Sequence, residues 1–162
     1  MQKNHFEKFS LPIKFDVDLA ALEKKYFALQ NQFHPDKSGV DDIEESITIN
    51  EAYKILSDDF NRACYLLSLK NIDICNDEKA VKPDFSTLEA MLELQEKIAA
   101  ISDKNEIEEL RKKLNEEIKQ LISKAMEYFE ALQIELSAQF LVKAKYLKKS
   151  LEDLKIRKQN CN

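Results

Sequence analysis

Glycine occurs once in the 162 residues, proline three times and tryptophan not at all. A β-sandwich or barrel needs turn residues at every reversal, so this shortage argues against both and favours long helices. It also removes any glycine-rich phosphate cradle, and with it the P-loop and dinucleotide-fingerprint enzymes. Histidine occurs twice, at His5 and His34, and cysteine three times, at Cys64, Cys75 and Cys161. No cysteine pair has the C-x-x-C spacing of a redox or zinc site, so neither a metal nor a cofactor is expected. An odd number of widely spaced cysteines fits a reducing compartment. There is no run of about 18 apolar residues, and the first seven residues are mostly polar and hold no apolar run, unlike a secretory signal. No membrane partner is expected, and the setting is read as cytosolic or matrix-type. Positive charge is not in surplus either: 25 Lys and Arg stand against 30 Asp and Glu, a net of -5. That weighs against nucleic acid as the main partner.

What the chain does have is helical periodicity. Asp18 is a natural N-cap, and Leu22, Tyr26, Leu29 and Phe33 follow at three- and four-residue steps, giving one apolar stripe. Pro35 ends that pattern. Asp41, Asp42, Glu44 and Glu45 then suit a helix N-terminus, and Ile47, Ile49, Ala52, Tyr53 and Leu56 are expected to form a second buried face. Two such helices joined by a short turn should lie antiparallel. A third amphipathic piece spans Asn61 to Leu69, and the stretch from Asn71 to Asp84 has no period. Three more stripes follow, through Leu88 to Ile98, Ile107 to Phe129 and Phe140 to Leu154. The expected fold is therefore all-α: an N-terminal domain over 1–75, a linker over 76–84 and a C-terminal three-helix bundle over 85–162.

The sequence Phe33-His34-Pro35-Asp36-Lys37 lies between the first two long helices. Pro35 locks φ, so His34 and Asp36 are presented on a stiff corner that loses little entropy on binding. Asp36 can accept charge-assisted hydrogen bonds from a partner's arginine, and the His34 ring can donate or accept near cellular pH. Two plainer readings stand beside this one. The tripeptide could be a helix stop with Asp36 capping the next segment, or a catalytic His-Asp pair. Nothing in the sequence places a nucleophile beside that pair, and a loop tip excludes little water.

A short leading helix, an antiparallel pair and a His-Pro-Asp loop at its tip, in that order, resemble a DnaJ-type J-domain. The resemblance implies that the loop docks on a DnaK-class chaperone and stimulates its ATPase, while basic residues of the preceding helix meet an acidic surface. The implied chaperone-binding set is Lys24, Lys25, His34, Pro35, Asp36 and Lys37.

The Gly/Phe-rich linker, zinc region and β-rich client domains of general J-proteins have no counterpart in this composition. A J-domain followed directly by a helical bundle resembles the HscB family, co-chaperones of iron-sulfur cluster assembly. Three stretches carry the likeness: Phe6 to Pro12, ending in Ser-Leu-Pro where the family has Gly-Leu-Pro; Arg62-Ala63-Cys64-Tyr65-Leu66-Leu67; and Leu92-Glu93-Leu94-Gln95-Glu96. The resemblance implies a non-enzymatic co-chaperone, most simply in a bacterial cytoplasm, or in a mitochondrial matrix if a transit peptide has been removed. Its partners would be an HscA- or DnaK-class chaperone and the cluster scaffold IscU. The first bundle helix would hold the scaffold with Leu88, Leu92, Glu93 and Glu96, joined by Tyr146, which falls out of step with Leu147, Leu151 and Leu154. On the plainer reading Leu88 and Leu92 are bundle core and the two glutamates are solvated charges. Ala100 stands where the family would place an acid, and Cys64 is read as a small core residue. The rival functions are a J-protein delivering another client, a small helical enzyme and a structural adaptor.

Overall fold

Local chemistry starts the helices. Asn4, Asp18, Asp58, Asp84 and Asp103 each accept a backbone N–H of the first turn that follows, with Asp18 taking Ala21 at 3.0 Å and Asp84 taking Thr87 at 2.8 Å. Each such cap contributes about 1 kcal/mol. The structure is a computed structural model that describes residues 3–33, 40–75 and 81–160. Every regular element among the described residues is a helix: α1 (His5–Lys8), α2 (Leu19–Gln32), α3 (Val40–Ser57), α4 (Asp59–Ser68), α5 (Phe85–Ala100), α6 (Lys104–Glu130) and α7 (Ile134–Asn160). They fall into two compact units, Met1–Leu69 and Lys70–Asn162.

In the first unit α2 and α3 meet along a polar seam. Tyr26 donates its hydroxyl to Asn50 at 2.8 Å, the Gln30 amide donates to Asn50 at 3.1 Å, and the Ser46 hydroxyl donates to Gln30 at 3.3 Å. As the α2 number rises the α3 number falls, so the pair is antiparallel, as its stripes lead one to expect. Tyr26 also stacks on Tyr53 at 4.1 Å between ring centroids. Leu22, Ile49, Ala52 and Leu56 are buried on one side of the seam together with Phe6 and Phe9. Ile47 does not join them: it is 52% exposed. Residues three or four apart share a helix face, and Ser46, Ile49, Tyr53 and Leu56 already fill the inner one. Ser46 takes the slot that periodicity gave to an isoleucine, because its hydroxyl answers Gln30.

Arg62 of α4 locks this unit. The residue is 4% exposed, yet each nitrogen of its guanidinium has an acceptor. Nε donates to the Phe15 carbonyl at 2.7 Å, the terminal nitrogens donate to the Leu56 carbonyl and the Asp59 carboxylate, and the group lies 4.8 Å from the Phe15 ring centroid. One side chain thus ties the segment before α2, the end of α3 and α4 together. Tyr65 does the same for α1: its hydroxyl accepts the His5 N–H at 3.0 Å and its ring stacks on His5 at 4.3 Å.

The second unit is built on the α6–α7 hairpin. Lys158 donates to Glu108 at 2.9 Å near one end, and Tyr128 stacks on Phe140 at 5.3 Å near the other, so these helices are antiparallel. Hydrogen bonds from Arg111 and Lys158 hold the Glu108 carboxyl at about 2. The turn passes through Leu132 in the left-handed region, φ 60, with Gln133 N–H closing on the Tyr128 carbonyl at 2.9 Å. Helix α5 runs parallel to α7. Gln95 donates to Ser150 at 3.3 Å and Asp153 at 3.0 Å, and Arg157 donates to the Ile101 carbonyl at 3.0 Å. Ile98, Ile101, Ile107, Leu110, Leu114 and Leu154 form the core between the three helices. Further along, α5 and α6 leave a groove of about 490 Å³ lined by Met91, Leu94, Leu114 and Leu121.

Two stability predictions follow from these contacts. Arg62→Met leaves the Phe15 and Leu56 carbonyls without their donor, so urea unfolding should show a loss of about 3 kcal/mol; a loss below about 1 kcal/mol would contradict the clamp. Burial, reinforced by Lys8 and only partly offset by Glu51, holds His5 below the usual 6.5. The folded state therefore binds this proton less readily than the unfolded chain. The stabilisation is complete above pH 6.5 and is lost as pH falls through the folded value. His5→Phe should flatten the acid limb of a melting-temperature profile, and an unchanged limb would contradict this.

Candidate functional site

The chain leaves α2 at Phe33, whose N–H closes on the Leu29 carbonyl at 3.0 Å, and re-enters helix at Val40. Because α2 and α3 are antiparallel, these two ends lie at the same tip, and residues 34–39 connect them. His34, Pro35, Asp36 and Lys37 themselves lie outside the described residues. Lys24 is exposed on α2. Lys25 donates its ammonium to the Ser10 carbonyl at 2.9 Å. Ser10 has φ 49, a left-handed corner at which a glycine would sit without strain. Lys25 holds that corner against α2.

On α5, Leu88 and Leu92 stand outside the core. Leu88 is 49% and Leu92 64% exposed, whereas Thr87 and Ile98 are buried. Phe85, 79% exposed and three residues before Leu88, extends the same surface, and Glu89 and Glu96 flank it. Periodicity starts the stripe at Leu88 and misses Phe85, which the Asp84 cap makes the first helical residue. Glu93 is exposed but also lines the groove towards α6, which sets it apart from Leu88 and Leu92 around the helix. Tyr146 is half-buried, beside a cavity of about 100 Å³ that it lines with Ile74, Pro83, Val142 and Lys145. Lys143 acts on the Asp84 carboxyl, which hydrogen bonds from Thr87 chiefly hold below its ordinary value. With Asp84 facing Lys143 and Gln95 bonded to Ser150, the parallel packing brings Tyr146 to about the level of Leu88.

Among the described residues no group of three His, Cys, Asp or Glu side chains is placed to hold a metal, and no helix is long and apolar enough to cross a membrane. Cys64 is buried and Cys75 exposed; Cys161 lies outside the described residues.

Residues 10–65 match the DnaJ domain, and residues 83–155 match the family described as the HSCB C-terminal oligomerisation domain. A protein named co-chaperone protein HscB homolog from Acinetobacter baumannii is 39% identical over 121 residues, covering 74% of this chain and 69% of that protein. Its namesake from Psychromonas ingrahamii is 32% identical over 155 residues, covering 90% and 91%. This chain belongs to the HscB co-chaperone family. Solved HscB structures share its fold. The Vibrio cholerae chaperone aligns with TM-score 0.81 at 26% identity over 99% of this chain and 100% of that one, and the human co-chaperone with 0.86 at 26% over 97% and 83%. Two of the HscB-like stretches now have a physical reason. Arg62 and Tyr65 are the clamp on the J-domain's leading segment, and the Ser-Leu-Pro corner is the strained turn that Lys25 secures.

The exposure of the α5 leucines has a direct check. Leu92→Ala should cost less than about 0.5 kcal/mol in urea unfolding, whereas Ile98→Ala should cost about 2 to 4 kcal/mol. Equal losses would put Leu92 in the core.

Proposed function

We infer that this HscB-family chain couples two binding events. The His34–Lys37 loop, helped by Lys24, engages an HscA- or DnaK-class chaperone and stimulates its ATPase, while α5 holds the iron-sulfur scaffold IscU, so that scaffold and chaperone meet. The exposed leucine pair carries the scaffold half of this reading. Leu88 and Leu92 present apolar area to solvent with acids alongside, and Tyr146 is the neighbouring contact from α7. Burial of such anchors gives affinity, and the rim charges give register and on-rate. The antiparallel α2–α3 tip supports the chaperone half, since a proline-stiffened corner offers Asp36 as an acceptor for an arginine. Carrying both surfaces on one chain raises the effective concentration of scaffold at the chaperone. Lys25 contributes through the Ser10 corner more than through direct contact. The setting proposed is the bacterial cytoplasm.

His34→Gln should fold and bind scaffold yet lose ATPase stimulation; retained stimulation would remove the loop from the mechanism. Leu88→Ala with Leu92→Ala should weaken scaffold binding by about 10-fold in calorimetry with helicity intact. Unchanged scaffold affinity, with another protein captured instead, would point to a different client.

A further inference from the structure

The J-domain carries apolar surface that its core does not use. Phe27 is 56% exposed, Ile43 44% and Ile47 52%. Helical geometry puts all three on one side. On α2, Tyr26 and Gln30 mark the seam with α3, Leu22 lies to its core side, and Phe27, about 100° round from Tyr26, lies to the other. On α3, Ser46 and Asn50 mark the same seam, Ile49 and Leu56 lie to the core side, and Ile43 and Ile47 lie beyond Asn50. In an antiparallel pair these two outer sides coincide. The pairing of Tyr26 with Asn50 and Gln30 with Ser46 sets Phe27 and Ile47 about 3 Å apart in height along the helices. Ile43 stands one turn nearer the tip.

Lys24, Asn31, Glu44, Glu51 and Lys54 are exposed around these three, so an apolar centre sits in a polar rim. The three side chains offer on the order of 300 Å². A stable dimer needs about 800 Å² from each partner, so a second copy alone is a poor occupant. The patch suits the extension of a larger contact. It rides on the two helices that carry the His34–Lys37 loop, so a protein seated on that loop meets it next.

We propose that Phe27, Ile43 and Ile47 form an apolar anchor for the DnaK-class chaperone, extending the loop contact along the outer face of the α2–α3 pair. The proposal rests on the chaperone reading of the loop. It makes the contact selective: a chaperone offering an apolar recess is accepted, and one offering only an acidic surface is not. Helix α2 carries only two positive charges, Lys24 and Lys25, so affinity leans on buried area and resists salt.

The test uses the full chain and an ATP-loaded DnaK-class chaperone on a biosensor, with wild type, His34→Gln and the Phe27→Ser, Ile47→Ser double variant. The double variant should bind about 10-fold more weakly, mainly through faster dissociation, with wild-type helicity. Wild-type affinity should fall less than about 3-fold between roughly 50 and 300 mM salt. Ile47→Thr alone, which keeps the β-branch but shortens the side chain and adds a hydroxyl, should give a smaller loss in the same direction and covers a misfolded double variant. Wild-type affinity in a folded variant overturns the anchor even where His34→Gln abolishes stimulation. A wild-type chain that neither binds nor stimulates overturns the loop reading, and the anchor with it.

Discussion

The J-domain depends on the register between α2 and α3, and that register is set by hydrogen bonds more than by shape. Tyr26, Gln30, Ser46 and Asn50 are half-buried or buried polar groups that satisfy one another in one alignment. A slip of one turn would leave several of them unpaired in a partly dry seam, at a cost of about 1 to 3 kcal/mol each. Purely apolar stripes would tolerate such a slip far better. Register fixes the tip at which residues 34–39 connect the helices, and it decides which residues face outward. The Arg62 clamp then closes the other side, holding α1, the segment before α2 and α4 against the pair.

The C-terminal unit uses a different balance. Helices α6 and α7 share a long antiparallel contact, while α5 is fastened to α7 by Gln95, by Arg157 and by the core around Ile98. Fastening α5 along one edge leaves its far side free to carry large apolar residues in water. Three of them in four turns is more than solubility favours, and such surface marks an interaction site. The same economy leaves the groove between α5 and α6.

Much of this was legible in the sequence because it rests on local chemistry. The Asp18 cap, the stripe through Leu22, Tyr26 and Leu29, and the three later stripes each announce a helix, and their order fixes an all-α fold. The His-Pro-Asp loop and the Arg62 and Tyr65 segment identified the family. What escaped depends on partners distant in sequence. Ile47 looked like core because periodicity cannot know that Ser46 would be chosen to answer Gln30. The bond from Lys25 to the Ser10 carbonyl, fifteen residues away, is invisible to a count of charges. Leu88 and Leu92 admit two readings from sequence, since spacing by four describes a core stripe and an exposed one equally well.

The central claim is that one chain brings a chaperone's ATPase trigger and that chaperone's cargo together. Single-turnover ATP hydrolysis by the DnaK-class partner, measured with this chain, with IscU, and with both, tests it most directly. The account predicts modest stimulation by each alone and a combined effect well above their sum. A combined rate no greater than that sum would contradict it.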